Sequence, residues 1–156
     1  MRKVAVLGLI CVALAVPAVG QPVRWSTDAD LAKGEDTAEA TAVIPIPPEN
    51  DAKNFAGDDT LWLHVRVKGE CSFLYAKHEH EAYVTRGAKD GPRKSIDRIV
   101  LHNSIGGDRQ DKTCRKTSGC GRTEHEFNLG CRRSCVAATA THAGYGSWDT
   151  RTVCIW

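Results

Sequence analysis

Six of the chain's seven cysteines, Cys71, Cys114, Cys120, Cys131, Cys135 and Cys154, lie beyond a short apolar N-terminal run. The run extends from Val4 to Val19, follows Arg2 and Lys3, carries no charge, and is followed by Gly20. This layout predicts a secretory signal peptide over residues 1–20, removed together with Cys11. Ile10 stands where a bacterial lipoprotein signal has a small residue, so Cys11 is not expected to be lipidated. The run is short and no comparable segment follows, so no transmembrane anchor is expected. Export into an oxidising compartment and an even number of remaining cysteines predict three disulfides, with the pairing left open. Each native bond typically stabilises a fold by about 2–4 kcal/mol. Residues 21–156 then suit one small domain whose limited core is supplemented by crosslinks.

Charge is unevenly spread along that expected mature chain. Residues 21–85 hold 6 basic and 12 acidic side chains, and residues 86–156 hold 13 basic and 7 acidic ones. Such halves either attract each other within one domain or leave a basic recognition face.

The pattern after Thr60 is that of strands. In Leu61-Trp62-Leu63-His64-Val65-Arg66-Val67, four aliphatic residues alternate with Trp62, His64 and Arg66, the period of a sheet with one buried face. Lys68-Gly69-Glu70 reads as a turn, followed by a strand from Cys71 through Ala76 that Glu81–Thr85 extends or restarts. Asp90-Gly91-Pro92 marks another turn. Ser95–His102 is rich in β-branched residues and predicts a strand, as does Thr150–Trp156. Cys131 and Cys135 are spaced to share one face of a brief helix. Residues 21–59 read as a weakly structured arm or an edge strand, because Val43-Ile44-Pro45-Ile46-Pro47-Pro48 is extended but poor in backbone donors. Trp25 offers a docking point within that arm. The expected fold is mainly β: a small disulfide-stabilised antiparallel sandwich or partly open barrel over residues 60–156, with one short helix allowed. A compact α+β fold is the alternative.

Two ionisable clusters stand out. Lys77-His78-Glu79-His80-Glu81 puts both histidines on one strand face and both glutamates on the other, which reads as a polar hairpin tip or an exposed face. His78 and His80 are two potential zinc or copper ligands, but a third, from His64, His102 or His125, must come through the fold. The spacing is not the His-Glu-x-x-His of a zinc protease. Arg122-Thr123-Glu124-His125-Glu126 is the second cluster. His78, His80, His102, His125, Glu81, Glu126, Arg98 and Arg122 are the residue types that a metal-independent ribonuclease uses as acid, base and phosphate clamp. Ser104, Ser118, Ser134 and Ser147 lack a Gly-x-Ser-x-Gly nucleophile turn. Asn103-Ser104-Ile105-Gly106-Gly107 lacks the context of a phosphate loop. No cofactor is expected, and no asparagine lies in a glycosylation sequon.

Arg109–Thr117 reads instead as a basic binding loop. Arg115, Lys116, Arg122, Arg132 and Arg133 extend its positive surface, and Tyr145 and Trp148 offer aromatic contact area beside it. In size and cysteine density the chain resembles small secreted interaction proteins, fungal effector-like proteins among them. That resemblance implies a non-catalytic binding or effector-like role on a host or cell-surface partner. An extracellular protein or an acidic glycan is expected ahead of nucleic acid, because aromatics do not interleave with the basic run. The alternative is a secreted metal-independent ribonuclease or other hydrolase using histidine and glutamate groups.

Overall fold

The computed structural model describes residues 37–49, 58–72, 75–127 and 131–156, so the expected signal segment and Trp25 lie outside the described residues. Among the described residues nine strands form two antiparallel sheets. The first sheet contains β1 (Thr37–Ile46), β2 (Leu61–Cys71), β3 (Ala76–Arg86) and β6 (Gly119–Glu126), in the order β1-β2-β3-β6. The second contains β4 (Ile96–Ile105), β5 (Asp108–Thr117), β7 (Ser134–His142) and β8 (Gly146–Asp149), in the order β5-β4-β7-β8. The short β9 (Val153–Ile155) also pairs with β7. The sheets stack face to face as a sandwich and do not close into a barrel, and no α-helix occurs among the described residues.

Alternation fixes which side chains meet. Leu61, Leu63, Val65 and Val67 of β2 and Ile99 and Leu101 of β4 point inward. They share one core with Ala38, Ala40 and Ala42 of β1 and Val136, Ala138 and Ala140 of β7. The small residues leave room for the large ones, so side chains interdigitate at the spacing of packed sheets. A local break interrupts the β4–β5 ladder, where Asp97 and Lys116 fall between the paired residues and Lys116 adopts φ 47°. Asp97 is thereby turned to cap the β7–β8 turn, accepting hydrogen bonds from the Ala143 amide at 2.8 Å and His142 Nδ1 at 3.1 Å.

Several local expectations are corrected. Lys68-Gly69-Glu70 is not a turn but the end of β2, and the chain reverses between Ser72 and Tyr75, whose backbones hydrogen-bond at 2.7 Å. Arg109–Thr117 is not a loop. It is edge strand β5, whose side chains are solvated on both sheet faces and so show no apolar alternation. Cys131 and Cys135 do not share a helix face, because Cys135 lies in β7 and each bonds elsewhere.

The pairings are Cys71–Cys131, Cys114–Cys120 and Cys135–Cys154. The first fastens the end of β2 to the lead-in of β7 and so links the two sheets. The second joins edge strands β5 and β6 around the corner at Ser118. The third is a cross-strand bond between directly opposed residues of β7 and β9, with Cα atoms 4.0 Å apart.

Gly69 shows how the C-terminus is seated. A Cβ at this position would lie 2.2 Å from the Trp156 ring and 2.5 Å from Ile155 Cδ1. Glycine is needed here because the terminal indole packs directly against the β2 backbone. Gly69→Ala should therefore destabilise the fold by about 1–3 kcal/mol, the usual cost of overpacking, read from chemical denaturation. Unchanged stability would show that Trp156 is not held against β2.

Candidate functional site

The first ionisable cluster is inside the molecule. His78 and His80 share the inner face of β3 and are 0 % and 1 % exposed, which corrects the expectation of a hairpin tip or exposed face. The strand alternates as expected, but the histidine side faces the core while Glu79 and Glu81 face outward. His80 Nε2 lies 2.7 Å from Ser134 Oγ at the start of β7. His78 meets the Trp156 ring edge-on at 5.7 Å and places Nε2 4.0 Å from Glu126 Oε2.

The β3–β6 register sets the neighbours of these rings: His78 opposes Glu124, His80 opposes Arg122 and Ala76 opposes Glu126. Arg122 pairs with Glu124, and Arg132 Nη1 donates to Glu126 Oε1 at 3.0 Å. The two imidazoles are thus enclosed, and the half-buried charged groups beside them are paired with each other. Among the described residues no group of three or more His, Cys, Asp or Glu side chains is placed to hold a metal ion.

Burial decides the charge of these rings. It pushes His80 down to about 4, helped by His78 and Arg122. It also lowers His78, against the opposing pull of Glu126. His64, on the outer face of β2, is likewise pushed down to about 4 by burial and then by Arg93. Its ring stacks on Tyr83 at 4.4 Å and contacts Thr85 Oγ1 at 3.0 Å.

The unfolded chain therefore binds protons that the folded chain refuses. His64 and His80 contribute their full stability above the unfolded value of 6.5 and lose it as the pH falls through about 4. Urea denaturation should show stability rising with pH across this window, with a slope of about two protons per molecule. A flat profile would show that the imidazoles are solvated. Ser134→Ala should cost about 1–3 kcal/mol by stranding His80 Nε2, and Ser134→Thr, which restores a hydroxyl, separates that loss from a packing defect.

A second arrangement lies on the open outer face of the other sheet. Register places His102 of β4 between Asp111 of β5 and the β7 face that carries Thr139. His102 Nδ1 is 2.9 Å from Asp111 Oδ1, and Nε2 is 3.1 Å from Thr139 Oγ1. Thr139 Oγ1 in turn donates to Asp149 Oδ1 of β8 at 2.5 Å. Arg109 Nε donates to Asp111 at 3.3 Å, and its Nη2 lies 3.2 Å from His102 Nδ1. Asp111 is held below the usual carboxylate range, first by the His102 hydrogen bond and then by Arg109. Arg98 Nη2 reaches Thr141 Oγ1 at 3.4 Å on the same face. Beside His102 opens a cavity of about 180 Å³, lined also by Ser104, Arg109, Cys135 and Thr152.

Thr139 has a single hydroxyl hydrogen, and this limits what the chain of contacts can do. When the hydrogen goes to Asp149, His102 Nε2 must supply a hydrogen to Thr139. When it goes to Nε2, Asp149 must supply one. The hydroxyl thus bridges an imidazole and a carboxylate, an arrangement through which a proton can pass from one to the other.

The residues anticipated for chemistry are divided among three places. His78 and His80 are interior with half-buried Glu126 and Arg122 beside them, and His102 and Arg98 lie on the outer face of the second sheet. His125 and Glu81 lie on the outer face of the first, His125 against Tyr75 Oη at 2.5 Å and Glu81 between Arg66 and Arg93. Of the anticipated contact residues, Arg115 and Lys116 are exposed on β5, with Arg98 directly opposite Arg115. Arg122 and Arg132 belong to the half-buried ion pairs beside the histidines, and Arg133 is exposed beside Cys154. Tyr145 and Trp148 pack against the core, where Trp148 Nε1 donates to Tyr145 O at 2.6 Å and Tyr145 Oη to Asp59 O at 2.7 Å. Thr139 was not anticipated, and Asp149 had no role, because their link to His102 depends on strand register. No family model matches the chain, and no curated protein matches it.

Proposed function

We propose that the protein is a secreted acid–base hydrolase whose substrate is a phosphodiester polymer, ribonucleic acid, and that side chains alone carry the reaction. The single observation behind this reading is the Asp111–His102–Thr139–Asp149 chain on an open, arginine-flanked face. Three disulfides suit the oxidising compartment that secretion implies.

In this reaction the 2′-hydroxyl attacks the adjacent phosphorus and gives its proton to Asp149. His102 Nε2 gives a proton to the departing 5′-oxygen. Thr139 then returns the proton from Asp149 to His102, which restores both groups. Asp111 and Arg109 are positioning residues for the ring, and Arg98 and Arg109 supply positive charge for the phosphate. Acid and base work of this kind contributes about 10²–10⁴-fold to rate.

The oxidised protein should cleave single-stranded RNA in the presence of a chelator. His102→Gln and Asp149→Asn should each lower the rate by about 100-fold or more, with near-ultraviolet circular dichroism unchanged. His125→Ala should leave the rate intact. Cleavage that survives His102→Gln, or that the chelator abolishes, overturns the reading.

The exposed Arg98, Arg115 and Lys116 support a second reading, a non-catalytic binder of an acidic extracellular partner. Retention of an acidic glycan without any RNA cleavage, lost in Arg98→Glu and Arg115→Glu, would favour it.

A further inference from the structure

We propose that Cys135–Cys154 is a thiol-exchange site, at which a low-molecular-weight thiol such as glutathione opens this one disulfide and leaves the other two closed. The inference is independent of RNA cleavage and rests on where the two sulfurs sit. Cys135 lines the 180 Å³ cavity on the outer face of the second sheet, so this end of the bond adjoins a space that a small thiol can enter. Arg109 lines the same cavity and, although it is shared with Asp111, brings a guanidinium to the space an incoming thiolate enters. The other sulfur has a different neighbour, since Arg133 Nη2 lies 3.8 Å from Cys154 Sγ. A guanidinium at that distance stabilises the thiolate that forms when the bond breaks.

The two surroundings assign direction to the reaction. Exchange proceeds by attack of a thiolate on one sulfur while the other departs, and the better-stabilised thiolate departs faster. The incoming thiolate attacks Cys135 Sγ, forming one sulfur–sulfur bond, and the electron pair of the broken bond leaves on Cys154 Sγ beside Arg133. A second thiol molecule then attacks the mixed disulfide on Cys135. The products are two protein thiols and one oxidised small-molecule disulfide, so the reductant supplies both electrons. In each of the remaining disulfides the accessible sulfur, on Cys131 or Cys114, is bonded to a buried one, Cys71 at 3 % or Cys120 at 2 % exposure, so attack there would expel a thiolate into apolar surroundings that disfavour it.

Opening the bond has a structural consequence. β9 is paired with β7 over only three residue pairs, one of which is Cys135–Cys154 itself. β9 carries Ile155 in the core and leads to Trp156, which covers His78. Reduction loosens the strand that seals the histidine end of the sandwich.

The test uses the oxidised protein without denaturant, treated with millimolar reduced glutathione, quenched at intervals and mapped by isotope-coded alkylation. Cys135 and Cys154 should be labelled about tenfold or more ahead of Cys71, Cys114, Cys120 and Cys131. The first glutathione adduct should be on Cys135. Arg133→Gln should slow the opening several-fold, and Arg133→Lys should restore it. Earlier labelling of another pair, simultaneous labelling of all six, or a first adduct on Cys154 overturns the assignment. The wild-type map decides the matter even if Arg133→Gln fails to fold. Activity plays no part in the readout, so a protein that cleaves no RNA tests the site equally well.

Discussion

Two uncharged imidazoles stand where a sandwich ordinarily has hydrocarbon, and the rest of the molecule is arranged to keep them so. A buried imidazole is tolerated when it is neutral and its nitrogens are hydrogen-bonded. His80 has Ser134, whereas His78 has the edge of Trp156 and a carboxylate too distant for a hydrogen bond. Closure of the sheets there depends on elements far apart in sequence. β6 contributes the carboxylates, Arg132 neutralises one of them, and β9 supplies the covering indole. The Cys135–Cys154 bond holds that last strand in place, so a covalent link on one face supports a polar contact within the core.

The two sheets spend their polar residues differently. On the outer face of the first sheet, Glu81 lies between Arg66 and Arg93, and Lys77 pairs with Glu79. Exposed pairs of this kind contribute roughly 0–1 kcal/mol each. On the second sheet the polar groups converge through hydroxyls and an imidazole. That convergence distinguishes the outer face of β4 and β7 from an ordinary solvated surface. It also uses the rigidity of adjacent strands, which fix side chains more closely than loops do.

The fold was legible wherever one face of a strand was apolar. Leu61–Val67 announced β2 by alternation, and Ser95–His102 announced β4 by its β-branched residues, although Ile96, Ile99 and Val100 also permitted a helical face. β5 was not legible as a strand, because an edge strand solvated on both faces has no apolar period to read. Gly69 suggested a turn when its actual task is to leave space for an indole from the far end of the chain. The pairing of His78 with His80 on one face was legible, but not which face: glutamates on the opposite side made both look polar, and only the packed sheets distinguish them. Of the outer site, His102 and Arg98 were visible as residue types. Their partners come from three other strands, and nothing local in the sequence specifies that Thr139 lies opposite the gap between His102 and Asp149.

β5 forms one border of the second sheet and carries Arg109, Lys112, Arg115 and Lys116 along its length. An unpaired strand edge is a template on which another copy can build, and natural sheets blunt it with charge and with breaks in regularity. Here both devices coincide, since Lys116 takes a left-handed conformation at the end of a strand already dense in cations. Two copies brought edge to edge would set guanidinium and ammonium groups against one another before any backbone bonds formed. The same strand that borders the arginine-rich face therefore opposes edge-to-edge pairing between copies of the chain.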